Sequence, residues 1–166
     1  MVAAGAQASR RPDAPVEAPR RDIDTEDGAK ISLGGTSVTV LLTPGHTPGT
    51  TSMIFPVTDH GVKHVVSIYG GYGIPGSVAG VDTSIAGVQH LLKVAREAGA
   101  DVVLSTHPFF DATFEKTQAL AAKPRKNGDP NPWVLGQSGS IRSMMATVEV
   151  LQCVRAIYVE AASAQH

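Results

Sequence analysis

Four β-prone runs, each closed by a turn signal, constrain this chain more than any other feature. They are "AKISL" (29–33), "SVTVLLT" (37–43), "TSMIFPV" (51–57) and "KHVVSIYG" (63–70). Gly34-Gly35 separates the first two, "TDHG" separates the last two, and "PGHTPG" sits in the middle. Short glycine-bearing links between such runs specify hairpins, so the first half predicts an antiparallel meander of about four strands.

The second half changes period. Ile85, Val88, Leu91, Leu92 and Ala95 share one helical face between Asp82 and Gly99. Asp82, Thr83 or Ser84 can cap the start and Gly99 the end. "DVVLST" (101–106) reads as a short strand ended by Pro108, and Asp111 can cap a helix running to about Ala122. "KPRKNGDPNP" (123–132) is a loop by composition, and a last helix is expected from Ser140 to Ala162. The fold class is therefore α/β: an antiparallel-rich sheet covered by helices on one face. The other sheet face is apolar too and calls for a second layer that the chain does not supply.

Residues 1–22, rich in Ala, Pro, Arg and Ser, read as a linker or remnant loop, 23–162 as the folded domain and 163–166 as a tail. With 17% charged residues and a net charge near −1, the composition gives no footprint for nucleic acid. No apolar run approaches the ~20 residues that cross a bilayer, and no secretory signal opens the chain. Cys153 is the single cysteine, which excludes an internal disulfide and a thiolate cluster, and it reads as a buried helix residue.

Six histidines remain to be placed. His46 lies in T-P-G-H-T-P-G, where Pro44 and Pro48 fix φ and the glycines admit unusual angles. A rigid loop at a strand end suits a metal ligand, and it equally suits an exposed histidine in a tight turn. His107 closes "DVVLST" and so also falls at a strand C-terminus, where a shared sheet edge can bring the two together. His60 and His64 flank a turn, which removes any helical i,i+4 relation between them and argues against a metal pair. His90 falls opposite its helix's apolar stripe and reads as solvated, and His166 is terminal.

The segments "DGAKISLGGTSVTVLLTPGHTPGTTSMIFPV", "HVVSIYGG", "AGADVVLSTHPFFDATFEK" and "NPWVLGQSGSIRSMM" together resemble the C-terminal half of a metallo-β-lactamase-fold hydrolase. The likeness runs from about Asp22 to Ala156 and is similar to the third-subclass lineage. The strand ending "SIYGGYG" lacks the bridging aspartate of several other branches, which disfavours the thiolesterase and RNA-processing ones. The resemblance implies half of an αβ/βα sandwich and a site for two zinc ions. It also implies amide or β-lactam ring opening by zinc-bound hydroxide. By position His46 matches a ligand of the first zinc and His107 a ligand of the second. Tyr69, Gly71 and Tyr72, in the loop after the fourth strand, are weak candidates for facing substrate.

The H-x-H-x-D-H segment of that family does not occur in these residues. A catalytic zinc takes three protein ligands and a water, so two histidines on two different zincs leave each metal short. The expectation is a truncated hydrolase inactive alone, with a small-molecule substrate in the intact enzyme, a complementing N-terminal half, and neither nucleic acid nor membrane as partner. Met1 is read as an internal methionine of a longer chain or the start of a truncated frame. Third-subclass relatives are exported, which makes an intact parent periplasmic or secreted by the same resemblance. Two alternatives stay open: a non-catalytic half-fold module that self-associates through its apolar sheet face, and a poorly folded fragment.

Overall fold

Leu33 pairs with Thr36 across Gly34-Gly35, whose φ values of 57° and 82° are those of a tight I′ turn. Asp59 pairs with Val62 across His60-Gly61 in the same way, with φ of 47° and 86°. These turns fix the register of β1 (Ala29–Leu33) on β2 (Thr36–Leu42), and of β3 (Thr51–Asp59) on β4 (Val62–Tyr69). The computed structural model describes residues 22–164. The readings made of 1–21 as a linker and of His166 as a terminal residue lie outside the described residues.

The sheet has five strands in the order β1-β2-β3-β4-β5, antiparallel except for the last pair. α1 (Val78–Glu97) carries the chain from β4 to β5 (Val102–Ser105), which pairs parallel to β4. Pro56 lies inside β3, yet the β2 ladder ends at Ile54, so its missing N–H interrupts no pairing there.

α1 starts four residues before the expected Asp82. Ser77 caps it by accepting from Gly80 N–H at 3.2 Å, so the Pro-Gly-Ser turn ahead of the apolar stripe marks the true start. At the other end Gly99, at φ 70°, receives a Schellman close: its N–H donates to Arg96 and that of Ala100 to Ala95. α2 (Thr113–Ala122) starts where Asp111 Oδ1 accepts from Thr113 N–H, and it buries no residue. α3 (Gly136–Ser163) also starts four residues earlier than expected. Leu135 N–H donates to Asp101 carbonyl at 2.9 Å, and Val134 bridges to Val102, so the sheet itself anchors the first turn.

α1 and α3 cover one face of the sheet. Leu41, Ile54, Tyr69 and Val103 from the strands meet Val81, Val88, Leu91 and Ala95 of α1, and Met144, Val148 and Leu151 of α3. The opposite face carries Val40, Met53, Ile68 and Leu104 side by side in one row, and Phe55, Val66 and Val102 in the next. Neither α1 nor α3 packs on that side, where Leu33 and Met53 stay 84% and 40% exposed while Val66 and Val102 are buried. Cys153 corrects the reading of a buried thiol: the α3 stripe of Met144, Val148 and Leu151 turns it outward, and it is exposed.

Candidate functional site

The ends of β2, β4 and β5 lie along one edge of the sheet, because β3 runs antiparallel to both β2 and β4 while β5 runs parallel to β4. Three loops rise from this edge: 43–50 with His46, 70–77 with Gly71 and Tyr72, and 106–112 with His107.

The His46 loop is pinned at its base and across its tip. Thr43 N–H donates to Thr50 carbonyl at 3.0 Å, and the buried Thr43 and Ser52 hydroxyls lie 2.7 Å apart. Thr47 N–H donates to Thr50 Oγ1 at 2.9 Å, the local side-chain bond that serine and threonine make in turns. A Cβ at Gly45 would lie 2.4 Å from Ser84 Oγ, so this glycine lets the loop rest on α1.

The second loop explains its own glycines. A Cβ at Gly71 would lie 2.3 Å from His46 Cβ, and one at Gly73 would lie 2.1 Å from His46 Nδ1. At Gly70 it would fall 1.8 Å from Thr51 carbonyl oxygen. The imidazole of His46 therefore lies against bare backbone, with its side chain exposed to solvent on the other side. Gly70 N–H donates to Ser52 Oγ at 3.2 Å and ties this loop to the base of the His46 loop.

The third loop is held by Asp111, whose Oδ2 accepts from Ser105 N–H at 2.9 Å. His107 N–H donates to Ser105 Oγ at 3.0 Å. The exposed His107 ring lies 5.9 Å from Phe109 and 6.2 Å from Phe110, centroid to centroid. Phe110 in turn stacks on Tyr72 at 4.2 Å, and Tyr72 meets Tyr69 edge-on at 5.2 Å. Burial pushes the Tyr72 hydroxyl's pKa up, opposed by a hydrogen bond to Ser105 and aided by the Asp111 charge. Burial likewise raises that of Tyr69, whose ring belongs to the core.

His46 and His107 thus stand on two loops of one edge, connected through Gly73 and Tyr72 of the loop between them and Phe110. The other histidines lie elsewhere. His60 is in the β3–β4 turn, and His64 bonds Asp101 at 2.6 Å. His90 is not simply solvated: its Nε2 lies 2.9 Å from Asp27 Oδ1, which also accepts from Leu42 N–H. Among the described residues no three of His, Cys, Asp and Glu are gathered to hold a metal ion. Two solvent-facing imidazoles do not make the three-ligand set of a catalytic zinc, so the residues described here do not fit that group by themselves. Sequence reasoning missed the cradle formed by Gly70, Gly71 and Gly73 and the Tyr72–Phe110 stack. The only signal was three glycines in "GGYG".

The fold is that of part of a metallo-β-lactamase. BJP-1, a subclass B3 metallo-β-lactamase of Bradyrhizobium japonicum, superposes with a TM-score of 0.64 at 25% identity, over 92% of this chain and 57% of its own. A variant of the FEZ-1 metallo-β-lactamase from Legionella gormanii gives 0.60 at 28% identity, over 76% of this chain and 48% of its own. The metallo-β-lactamase GOB-18 from Elizabethkingia meningoseptica gives 0.57 at 21%, over 87% and 52%. The chain spans about half the length of these structures. No protein-family model matches the sequence, and no curated protein does.

Proposed function

We propose that this chain is the C-terminal part of a zinc-dependent hydrolase of the metallo-β-lactamase superfamily, acting on a small amide or β-lactam. In this reading it supplies His46 and His107 and lacks activity on its own. The observation that supports it is the pair of imidazoles raised from loops of one sheet edge that both touch the 70–77 loop, on a fold shared with B3 enzymes. The chain's own contribution is placement. The glycine cradle fixes the side of His46 that faces backbone, and the aromatic stack sets the His107 loop against it. In this reading the remaining ligands come from outside these residues, since among the described ones no metal-holding group is gathered.

Elemental analysis after dialysis tests the reading. Less than one zinc per chain and no turnover of a chromogenic β-lactam are expected. Stoichiometric zinc that a His46→Ala variant loses, or zinc-dependent turnover by the pure chain, overturns the claim of inactivity. Translating the coding frame upstream of Met1 tests the ancestry, since a frame without H-x-H-x-D-H removes the hydrolase reading.

A second reading is favoured by the open sheet face, where Ile31, Leu33 and Met53 are exposed together. Burying such a face drives association, so a non-catalytic module that pairs with a second copy is the alternative. Light scattering that reports a clean monomer at high concentration counts against it.

A further inference from the structure

α3 presents a second face that stays uncovered among the described residues. Its Met144, Val148 and Leu151 stripe packs into the core, so the opposite side of the helix points away from the domain. That side carries Ala146, Val150, Cys153 and Ile157, spaced four, three and four residues apart. All are exposed, Val150 at 57% and Ile157 at 62%. Such alternation of fours and threes is the seam of a helix that pairs with another helix. The second layer called for by the open sheet face would lie on the other side of the sheet, away from this seam.

Two opposite charges end the seam. Arg142 and Glu160 lie about five turns apart on α3, hence on one line along it. Both are exposed, and among the described residues neither has an ion-pair partner, whereas Arg155 is engaged by Asp82 of α1. A second copy laid antiparallel on this face would set Arg142 of each chain near Glu160 of the other. In that register Val150 meets Cys153 and Ile157 meets Ala146, a larger side chain against a smaller one in each layer. Glu149 borders the seam beside the uncharged Ala156 of the other copy. A parallel pair would instead set Arg142, Glu149 and Glu160 each against its own like charge, which is unfavourable.

We propose that α3 is a dimerisation helix: it pairs antiparallel with α3 of a second copy through Ala146, Val150, Cys153 and Ile157, with Arg142–Glu160 contacts at both ends. The inference goes beyond both readings of function, since it uses neither the histidine edge nor the open sheet face. A seam of four small or medium side chains is narrow, and small interfaces are weak and transient. The pair therefore dissociates on dilution, and Cys153 is free to react in the dilute chain.

Sedimentation of the full chain over a range of concentrations tests this. The wild type is expected to pass from monomer to dimer as concentration rises. Arg142→Glu and Glu160→Arg each turn two attractions into repulsions and are expected to weaken the dimer about tenfold. Combining them exchanges the charges and restores both pairs, so the dimer should return to near wild-type strength. A short bismaleimide should cross-link Cys153 to Cys153 of the second copy in the wild type and the double variant, and far less in either single one. A monomer at every concentration overturns the proposal. So does a double variant as weak as the singles, or a dimer that a single reversal leaves intact, which is what association through the open sheet face would give. Should one single variant misfold, the other one and the wild-type cross-link decide.

Discussion

Tyr72 stacks on Phe110 with centroids 4.2 Å apart and planes 20° from parallel, which joins the loop that cradles His46 to the loop that carries His107. Neither histidine is placed by its own loop alone. His46 depends on what residues 70–73 lack, and His107 on what Tyr72 offers.

Two glycine substitutions separate these effects. Gly73→Ala would set a methyl against the movable His46 ring, so the imidazole is expected to swing away at a stability cost below about 1 kcal/mol. Gly70→Ala meets the backbone carbonyl of Thr51 instead and is expected to cost more than about 2 kcal/mol. Urea denaturation gives the costs, and the His46 ring resonances report the displacement. A Gly70→Ala protein as stable as the parent contradicts the geometry.

Ser52 is a junction: its hydroxyl meets Thr43 at 2.7 Å and accepts from Gly70 N–H at 3.2 Å. Ser52→Ala strands a buried Thr43 hydroxyl and is expected to cost about 1–3 kcal/mol. Adding Thr43→Val should recover part of that loss, because the stranded group is then gone. Additive losses in the double-mutant cycle would show that the two hydroxyls act separately.

Asp59 gives the fold an acid-sensitive contact. Hydrogen bonds from Arg125 and then Asn131 lower its carboxyl pKa from 3.8 to about 2. A depressed folded-state pKa stabilises above the unfolded value and loses that contribution as pH falls through the folded one. The urea midpoint is therefore expected to drop between about pH 4 and pH 2. In Asp59→Asn the same window should be flatter, and an unchanged slope there rules out this pair as the source.

Cys153, exposed on α3, should react with a thiol reagent in the native state at one equivalent per chain. A thiol that reacts only after denaturant is added would mean that this part of α3 is covered in solution.

How far the sequence could be read depended on whether the signal was local. The hairpins were legible because Gly34-Gly35 and His60-Gly61 carry their turn chemistry in adjacent residues. The first turn of α3 was not, since Leu135, just ahead of it, is held by Asp101, far off in the chain. Cys153 was misread through hydrophobicity although the spacing of Met144, Val148 and Leu151 already turns it outward. The positions of His46 and His107 at strand ends could be inferred, but their common edge required the order and direction of all five strands. The cradle was invisible because a glycine's meaning there lies in the side chain of another loop.

The parallel pairing of β4 with β5 through α1 has a consequence for how the edge comes into being. His46 and Gly71–Gly73 belong to a run of hairpins whose contacts are short in sequence, and such contacts form early. His107 reaches them only after α1 has closed the crossover, a loop whose closure entropy must be met first. Refolding is therefore expected to create the edge in two kinetic phases, with the Tyr72–Phe110 stack reporting the second. The edge is thus the meeting point of an early-folding and a late-folding part of the chain.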